Sequence, residues 1–279
     1  MLTRLVAAVE IIRPHNMAAA ALSVVVGYAV AGGRGVGEAL VAAAVTALVT
    51  GAGNVINDCY DVSIDRVNKP RRPLPSERLG RRGAFVYYAV LTVAACAAAA
   101  ALLPARVAWL VAAWQAALFG YAARAKRVFL AGNVLVAAIA SSAFLAGAIL
   151  AGRPGAALVP MAIAFVFVMS REVVKGGEDL AGDAAAGVHT LAVRLGPRRA
   201  GAVAAGLMLF LAAALPAPAI AGYYGPTYFW LMEALVVPLL VVAAVVVVRR
   251  PERRAFARVS WMLKVGMFVG ILAIAAGQR

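Results

Sequence analysis

The chain has 279 residues, 64% of them hydrophobic and only 14% charged, with a mean hydropathy of +0.89. A soluble domain has about a quarter of its residues charged, so an ordinary water-soluble fold is excluded. The formal net charge of +15 would suit a nucleic-acid binder, but the basic residues sort between apolar runs, which excludes nucleic acid as the partner.

Nine apolar runs approach the roughly 17–25 residues that cross a bilayer. They fall near 15–33, 37–58, 84–103, 105–123, 129–150, 155–174, 200–221, 226–248 and 256–277. The prediction is an all-α, multi-pass membrane protein with nine transmembrane helices in one domain, residues 1–279. The N-terminus lacks a small-residue cleavage site after its first apolar stretch, so no cleavable signal peptide is expected.

The first predicted helix opens Arg13-Pro14-His15-Asn16. Proline is suited to a helix start. Asn16 in an apolar entry is a candidate to face a polar site. His15 and His189 lack partners at metal or triad spacing and read as structural.

The second run closes on Asn54-Val-Ile-Asn57-Asp58-Cys-Tyr-Asp61-Val-Ser-Ile-Asp65. Asn57, Asp61 and Asp65 step by four, so a helix would carry them on one face. The sixth run closes on Arg171-Glu172-Val-Val-Lys175-Gly-Gly-Glu178-Asp179-Leu-Ala-Gly-Asp183, where Lys175, Asp179 and Asp183 step by four as well. Of the 12 acidic residues, all but Glu10, Glu38, Glu233 and Glu252 lie in these two segments or the loop after the first. Clustered carboxylates at a membrane boundary repel one another and resist desolvation, and a multivalent cation is the usual remedy. The expectation is a shared Mg²⁺ site on Asn57, Asp58, Asp61, Asp65, Asp179 and Asp183, carrying a phosphate-bearing substrate.

Cations surround the acids. Lys69 and Arg72 sit in a loop stiffened by Pro70, Pro73 and Pro75, and Arg124, Lys126 and Arg127 fill the connection between the fourth and fifth runs. Lys69, Arg72, Lys126 and Arg127 are the candidates for the free oxygens of a diphosphate. Arg78-Leu-Gly-Arg81-Arg82 after the first acidic segment is echoed by Arg194-Leu-Gly-Pro-Arg198-Arg199 after the second, which predicts two related halves around a central cavity. Cys59 and Cys96 lack zinc spacing and read as free thiols.

With an odd number of spans, all of the 27 Lys and Arg except Arg34, Arg106, Arg153 and Arg279 fall on one side. The positive-inside rule makes that side cytoplasmic. The N-terminus is then expected inside, the C-terminus outside, and both acidic segments on the cytoplasmic face of a cell membrane.

The paired motifs resemble those of the UbiA superfamily of intramembrane prenyltransferases: Asn57-x-x-x-Asp61-x-x-x-Asp65 with Asp58 beside it, and Asp179-x-x-x-Asp183. The resemblance implies a nine-helix bundle and Mg²⁺ on both motifs holding an isoprenyl diphosphate, with an acceptor attacking the allylic carbon. Within the superfamily, Ile12–Asn16, Asn57–Ser76 and Arg171–Asp183 look most like archaeal members that join a geranylgeranyl chain to the sn-2 hydroxyl of geranylgeranylglyceryl phosphate. A lipid-phosphate acceptor is thus implied, with Asn16, Arg171, Glu172 and Lys175 as candidate acceptor-binding residues and no obligate protein partner. Aromatic-acceptor members commonly carry Tyr in place of Lys175 and Asp in place of Glu172, so prenylation of 4-hydroxybenzoate is the alternative. A cation transporter fits less well, because the acids gather at one membrane face.

Overall fold

The computed structural model describes residues 2–125 and 128–278, and its regular elements are all helical. The chain runs through α1 (Leu2–Ile12), α2 (Pro14–Val30), α3 (Val36–Tyr60), α4 (Val62–Asn68), α5 (Arg81–Leu102) and α6 (Ala105–Ala123). It continues through α7 (Ala131–Ser141), α8 (Ala143–Leu150), α9 (Leu158–Glu178), α10 (Leu180–Ala185) and α11 (Leu191–Ala214). It ends with α12 (Ala217–Ile220), α13 (Pro226–Leu231), a π-helical turn (Met232–Val236), α14 (Val237–Arg249) and α15 (Arg253–Ala276).

Among the described residues, seven helical runs are long and apolar enough to cross a membrane, or eight if the bent pair α1–α2 counts as one span. The protein is a multi-pass membrane protein. The nine predicted runs all fall on helices, but the fourth, α6, is not among the qualifying spans, because Arg106, Gln115 and Gly120 dilute its apolar content. One helix was not expected. α1 precedes the first predicted run and leaves Leu5, Val6 and Val9 more than half exposed on one side. A break of 40° separates it from α2. Arg13 makes that break, in the left-handed region at φ 52°, and Pro14 restarts the helix.

Packing follows chain order. One buried cluster joins α2, α3, α5, α6 and α8 through Val45, Val49, Val111 and Trp114. A larger one gathers α9, α11, α14 and α15 around Phe167, Met208, Leu240, Phe256 and Leu263. α2 and α8 meet backbone to backbone, because a Cβ at Gly147 would strike the main chain of α2. In hydrocarbon, where apolar surfaces gain little by meeting each other, such close approach is the main source of helix association.

Candidate active site

Each acidic run ends its long helix at an aspartate and continues in a short one. α3 gives way to α4 at Asp61 (φ −95°, ψ 6°), and α9 gives way to α10 at Asp179 (φ −95°, ψ 9°). The sequence pattern predicted unbroken helical faces. The structure bends both, yet i to i+4 bonding runs through each bend. Asp61 N–H donates to Asn57 C=O at 3.0 Å and Asp65 N–H to Asp61 C=O at 2.8 Å, while Asp179 N–H donates to Lys175 C=O at 2.8 Å and Asp183 N–H to Asp179 C=O at 3.0 Å. Asn57-Asp61-Asp65 and Lys175-Asp179-Asp183 are therefore locally matched.

The two short helices pack directly on each other, and Asn68 ties them. Its Nδ2 donates to the Asp179 carbonyl at 2.8 Å, and its Oδ1 accepts from the Gly182 N–H at 3.0 Å. Arg253 of α15 adds a bond to the Asn68 carbonyl at 2.7 Å. Glycine is required at 182, since a Cβ there would lie 2.7 Å from the Ile64 carbonyl and press on the Asn68 amide.

Asp58, Asp61, Asp65 and Asp183 are all buried, and cations hold much of this charge. Arg13 pairs with Asp58. Arg72 reaches Asp65 at 2.7 Å and Asp58 at 3.4 Å. Lys69 crosses to the other motif and grips both oxygens of Asp179, at 2.6 and 2.8 Å. Asn57 donates to Asp61 at 2.8 Å. Burial pushes the Asp65 carboxyl above its ordinary range and the charges of Asp58 and Asp61 add to this, against the opposing pull of Arg72. Burial acts the same way on Asp179, but Lys69, with Lys175 and Arg72, outweighs it and holds that carboxyl below the usual range.

The sequence candidates divide into two sets. Lys69 and Arg72 join the acids as expected. Asn16 stands beside Asn54 of the first acidic segment, its Nδ2 3.4 Å from the Asn54 Oδ1. Arg171, Glu172 and Lys175 form their own group on α9: Glu172 takes Lys175 at 3.1 Å and Arg171 at 3.3 Å. Lys126 and Arg127 lie outside the described residues. Sequence reasoning assigned no role to Arg13, Asn68 or Tyr121. Arg13 had a signal, a charged residue placed just before a helix-starting proline. Tyr121 had none: it lies at the end of α6 and has Glu172, Asp61, Arg13 and Asp183 as its charged neighbours.

Every donor in the acidic set is an oxygen, which suits a hard divalent cation. The Oδ1 of Asn57 is buried and has no hydrogen-bond partner, an acceptor of the kind such an ion satisfies. Among the described residues, no three His, Cys, Asp or Glu side chains converge tightly enough to hold a metal, and Arg13, Arg72 and Lys69 pair with the carboxylates of Asp58, Asp65 and Asp179.

Known proteins resemble this chain over nearly its whole length. The chain is 36% identical over 272 residues to digeranylgeranylglyceryl phosphate synthase of Methanothermobacter thermautotrophicus, covering 97% of this chain and 95% of that protein. A solved structure from work on the biosynthesis of digeranylgeranylglyceryl phosphate synthase in membranes superposes with a TM-score of 0.73 at 27% identity, covering 98% of both chains. A UbiA homolog from Archaeoglobus fulgidus bound to GPP and Mg²⁺ shares the fold, with a TM-score of 0.66 at 18% identity over 96% of this chain and 99% of that one. The sequence profile of the UbiA prenyltransferase family matches residues 20–272, and the chain therefore belongs to that family.

Proposed function

We propose that the protein transfers a geranylgeranyl group from geranylgeranyl diphosphate to the sn-2 hydroxyl of geranylgeranylglyceryl phosphate, the reaction that yields an archaeal ether lipid. The observation that carries this reading is the presence of two charged groups: an acid-rich centre with Lys69 and Arg72, and a cationic pair, Arg171 and Lys175, held by Glu172 on α9. The first suits a metal-bound diphosphate and the second suits the phosphate of an acceptor. The name of the Methanothermobacter relative supports the same choice.

Asn57, Asp58, Asp61, Asp65, Asp179 and Asp183 are the residues that would hold Mg²⁺. The ion, when bound, neutralises charge that develops on the departing diphosphate. Lys69 and Arg72, released from the carboxylates, would bind free diphosphate oxygens, with Lys126 and Arg127 as further candidates. The C1–O bond of the donor breaks and its electron pair leaves with the diphosphate. The sn-2 oxygen forms the new bond to C1 and gives up its proton. The apolar interior of the bundle keeps water from the allylic cation. The reading includes nine spans in two related halves, with the N-terminus and the active site on the cytoplasmic side.

The deciding assay offers labelled geranylgeranyl diphosphate to membranes together with geranylgeranylglyceryl phosphate and 4-hydroxybenzoate. Label is expected in the glyceryl phosphate product. Label in the benzoate instead would overturn the acceptor assignment. A chelator is expected to stop transfer, and added Mg²⁺ to restore it.

Orientation is tested in a variant with Cys59 and Cys96 replaced by Ala. Ser76→Cys is expected to react with an impermeant thiol reagent only from the cytoplasmic side, and Gly155→Cys only from outside. Gly155 is chosen over Gly152, whose φ of 76° would strain any side chain. The reverse labelling pattern would overturn the orientation.

Lys175→Met is expected to raise the apparent KM for geranylgeranylglyceryl phosphate about ten-fold, the loss of one charge-assisted hydrogen bond, with little change in the KM for the diphosphate. A change in the diphosphate KM instead would place Lys175 in the donor site.

A further inference from the structure

Lys264 lies in the middle of α15, eleven residues after Arg253, or roughly 16 Å along the helix from its charged start. A lysine at such depth on a membrane helix is costly unless it faces a polar interior and a counter-charge. Its side chain is only partly exposed, and among the described residues it makes no hydrogen bond or ion pair. Its charged neighbours are Arg171, Glu178, Lys175 and Arg13, three cations and one carboxylate. His15, at the start of α2, faces Lys264, Arg13 and Arg171. α15 packs against both α2 and α9, so these residues come from three helices onto one volume.

Among the described residues Lys264 has one acidic neighbour, Glu178, and makes no ion pair with it. Glu172 already serves both Arg171 and Lys175, and Arg13 is held by Asp58. Arg171 keeps a buried Nε with no hydrogen-bond partner. A buried guanidinium N–H left without a partner is costly, and repulsion among neighbouring ammonium and guanidinium groups adds to it. Such a group of cations is completed by an anion. It adjoins the acid-rich centre, since Lys175 also neighbours Lys69 and Asp179, and there Lys69 and Arg72 already have partners.

We propose that Lys264, Arg171 and Lys175, with His15 at their edge, form a binding site for the phosphate monoester of a lipid acceptor, and that Lys264 is its anchor from α15. This rests on the reading that the acceptor bears a phosphate. A phosphate monoester carries about −1.5 to −2 charges at neutral pH and three acceptor oxygens. That is enough to engage Lys264 and the free Arg171 Nε together, while Glu172 keeps Lys175 oriented. Because Lys264 is deep in its helix, the headgroup would be drawn below the level of the basic loops, with the glycerol between it and the donor site.

The test compares geranylgeranylglyceryl phosphate with its dephosphorylated counterpart, geranylgeranylglycerol, as acceptors for the detergent-solubilised protein. The wild type is expected to prefer the phosphate. Lys264→Met is expected to raise the KM for the phosphate acceptor about ten-fold or more, leave the diphosphate KM within about two-fold, and shrink the preference over the glycerol by the same factor. Lys264→Arg, which keeps the charge, is expected to recover most of the preference. Thermal unfolding of both variants separates binding from folding, and Lys264→Gln, neutral but polar, replaces the methionine variant with the same expected losses if the latter does not fold. An unchanged preference in Lys264→Met, or a changed diphosphate KM, would overturn the assignment while leaving the proposed reaction intact. A wild type that does not distinguish the two acceptors would overturn both.

Discussion

Asp61→Ala and Asp183→Ala are each expected to lower kcat/KM by about 10³-fold or more while leaving the helical bundle folded. Both carboxylates are buried, Asp61 one helical turn after Asn57 and Asp183 one turn after Asp179 in the matched motifs. A thousand-fold loss corresponds to about 4 kcal/mol of transition-state stabilisation, the scale reached when a group that organises developing charge is removed. Folding should survive because the main-chain bonds through Asp61 and Asp183 do not use their side chains, and because alanine favours helix. The measurement is initial-rate transfer at saturating Mg²⁺, paired with circular dichroism and a thermal transition. Wild-type rates in either variant would remove that carboxylate from the active site.

The second large effect is expected from Asn68→Leu. Leucine has the branched outline of asparagine, with somewhat more bulk, but makes none of its side-chain bonds. The Gly182 N–H would then lose its side-chain partner in a buried contact, and the Asp179 carbonyl would keep only its bond from the Asp183 N–H. At about 1–3 kcal/mol for an unpaired buried group, the variant is expected to lose stability on that scale and to transfer at least a hundred-fold more slowly, since α4 and α10 would no longer hold the two motifs in register. Gly182→Val should act in the same direction by pushing α4 away. A thermal transition within a few degrees of wild type, with normal activity, would show that the contact does not hold the motifs together.

Much of the fold was legible because membrane helices are long and apolar, and hydropathy alone finds them. Val36–Tyr60, Arg81–Leu102 and Arg253–Ala276 match the predicted runs to within a few residues. α1 was not legible: its apolar residues alternate with charge over only three turns, too short for a hydropathy window. The kink at Arg13 could not be seen either, because positive φ at arginine has no composition signal. Within the site, the carboxylates and Lys69 and Arg72 were legible from spacing and charge. Asn68 was not, because its value lies in bonds to a segment more than a hundred residues away. Asn16 shows the opposite case. Its polarity marked it as a site residue, but the neighbour it meets, Asn54, could not be read from spacing.

The distribution of partners across the motifs bears on how such a chain is made. Asn68 and Lys69 meet Asp179 across 111 and 110 residues of sequence, so their contacts wait until α9 and α10 have entered the bilayer. Asp58 and Asp65 need not wait. Arg13 precedes them and Arg72 follows within a few turns, so the first carboxylates to be inserted arrive with their own counter-charges. Unpaired acids in hydrocarbon are expensive, and a nascent amino-terminal half that neutralises itself can remain in the bilayer until its other half is synthesised. The arginines that pair with these carboxylates in the finished protein would thus serve first as escorts for insertion.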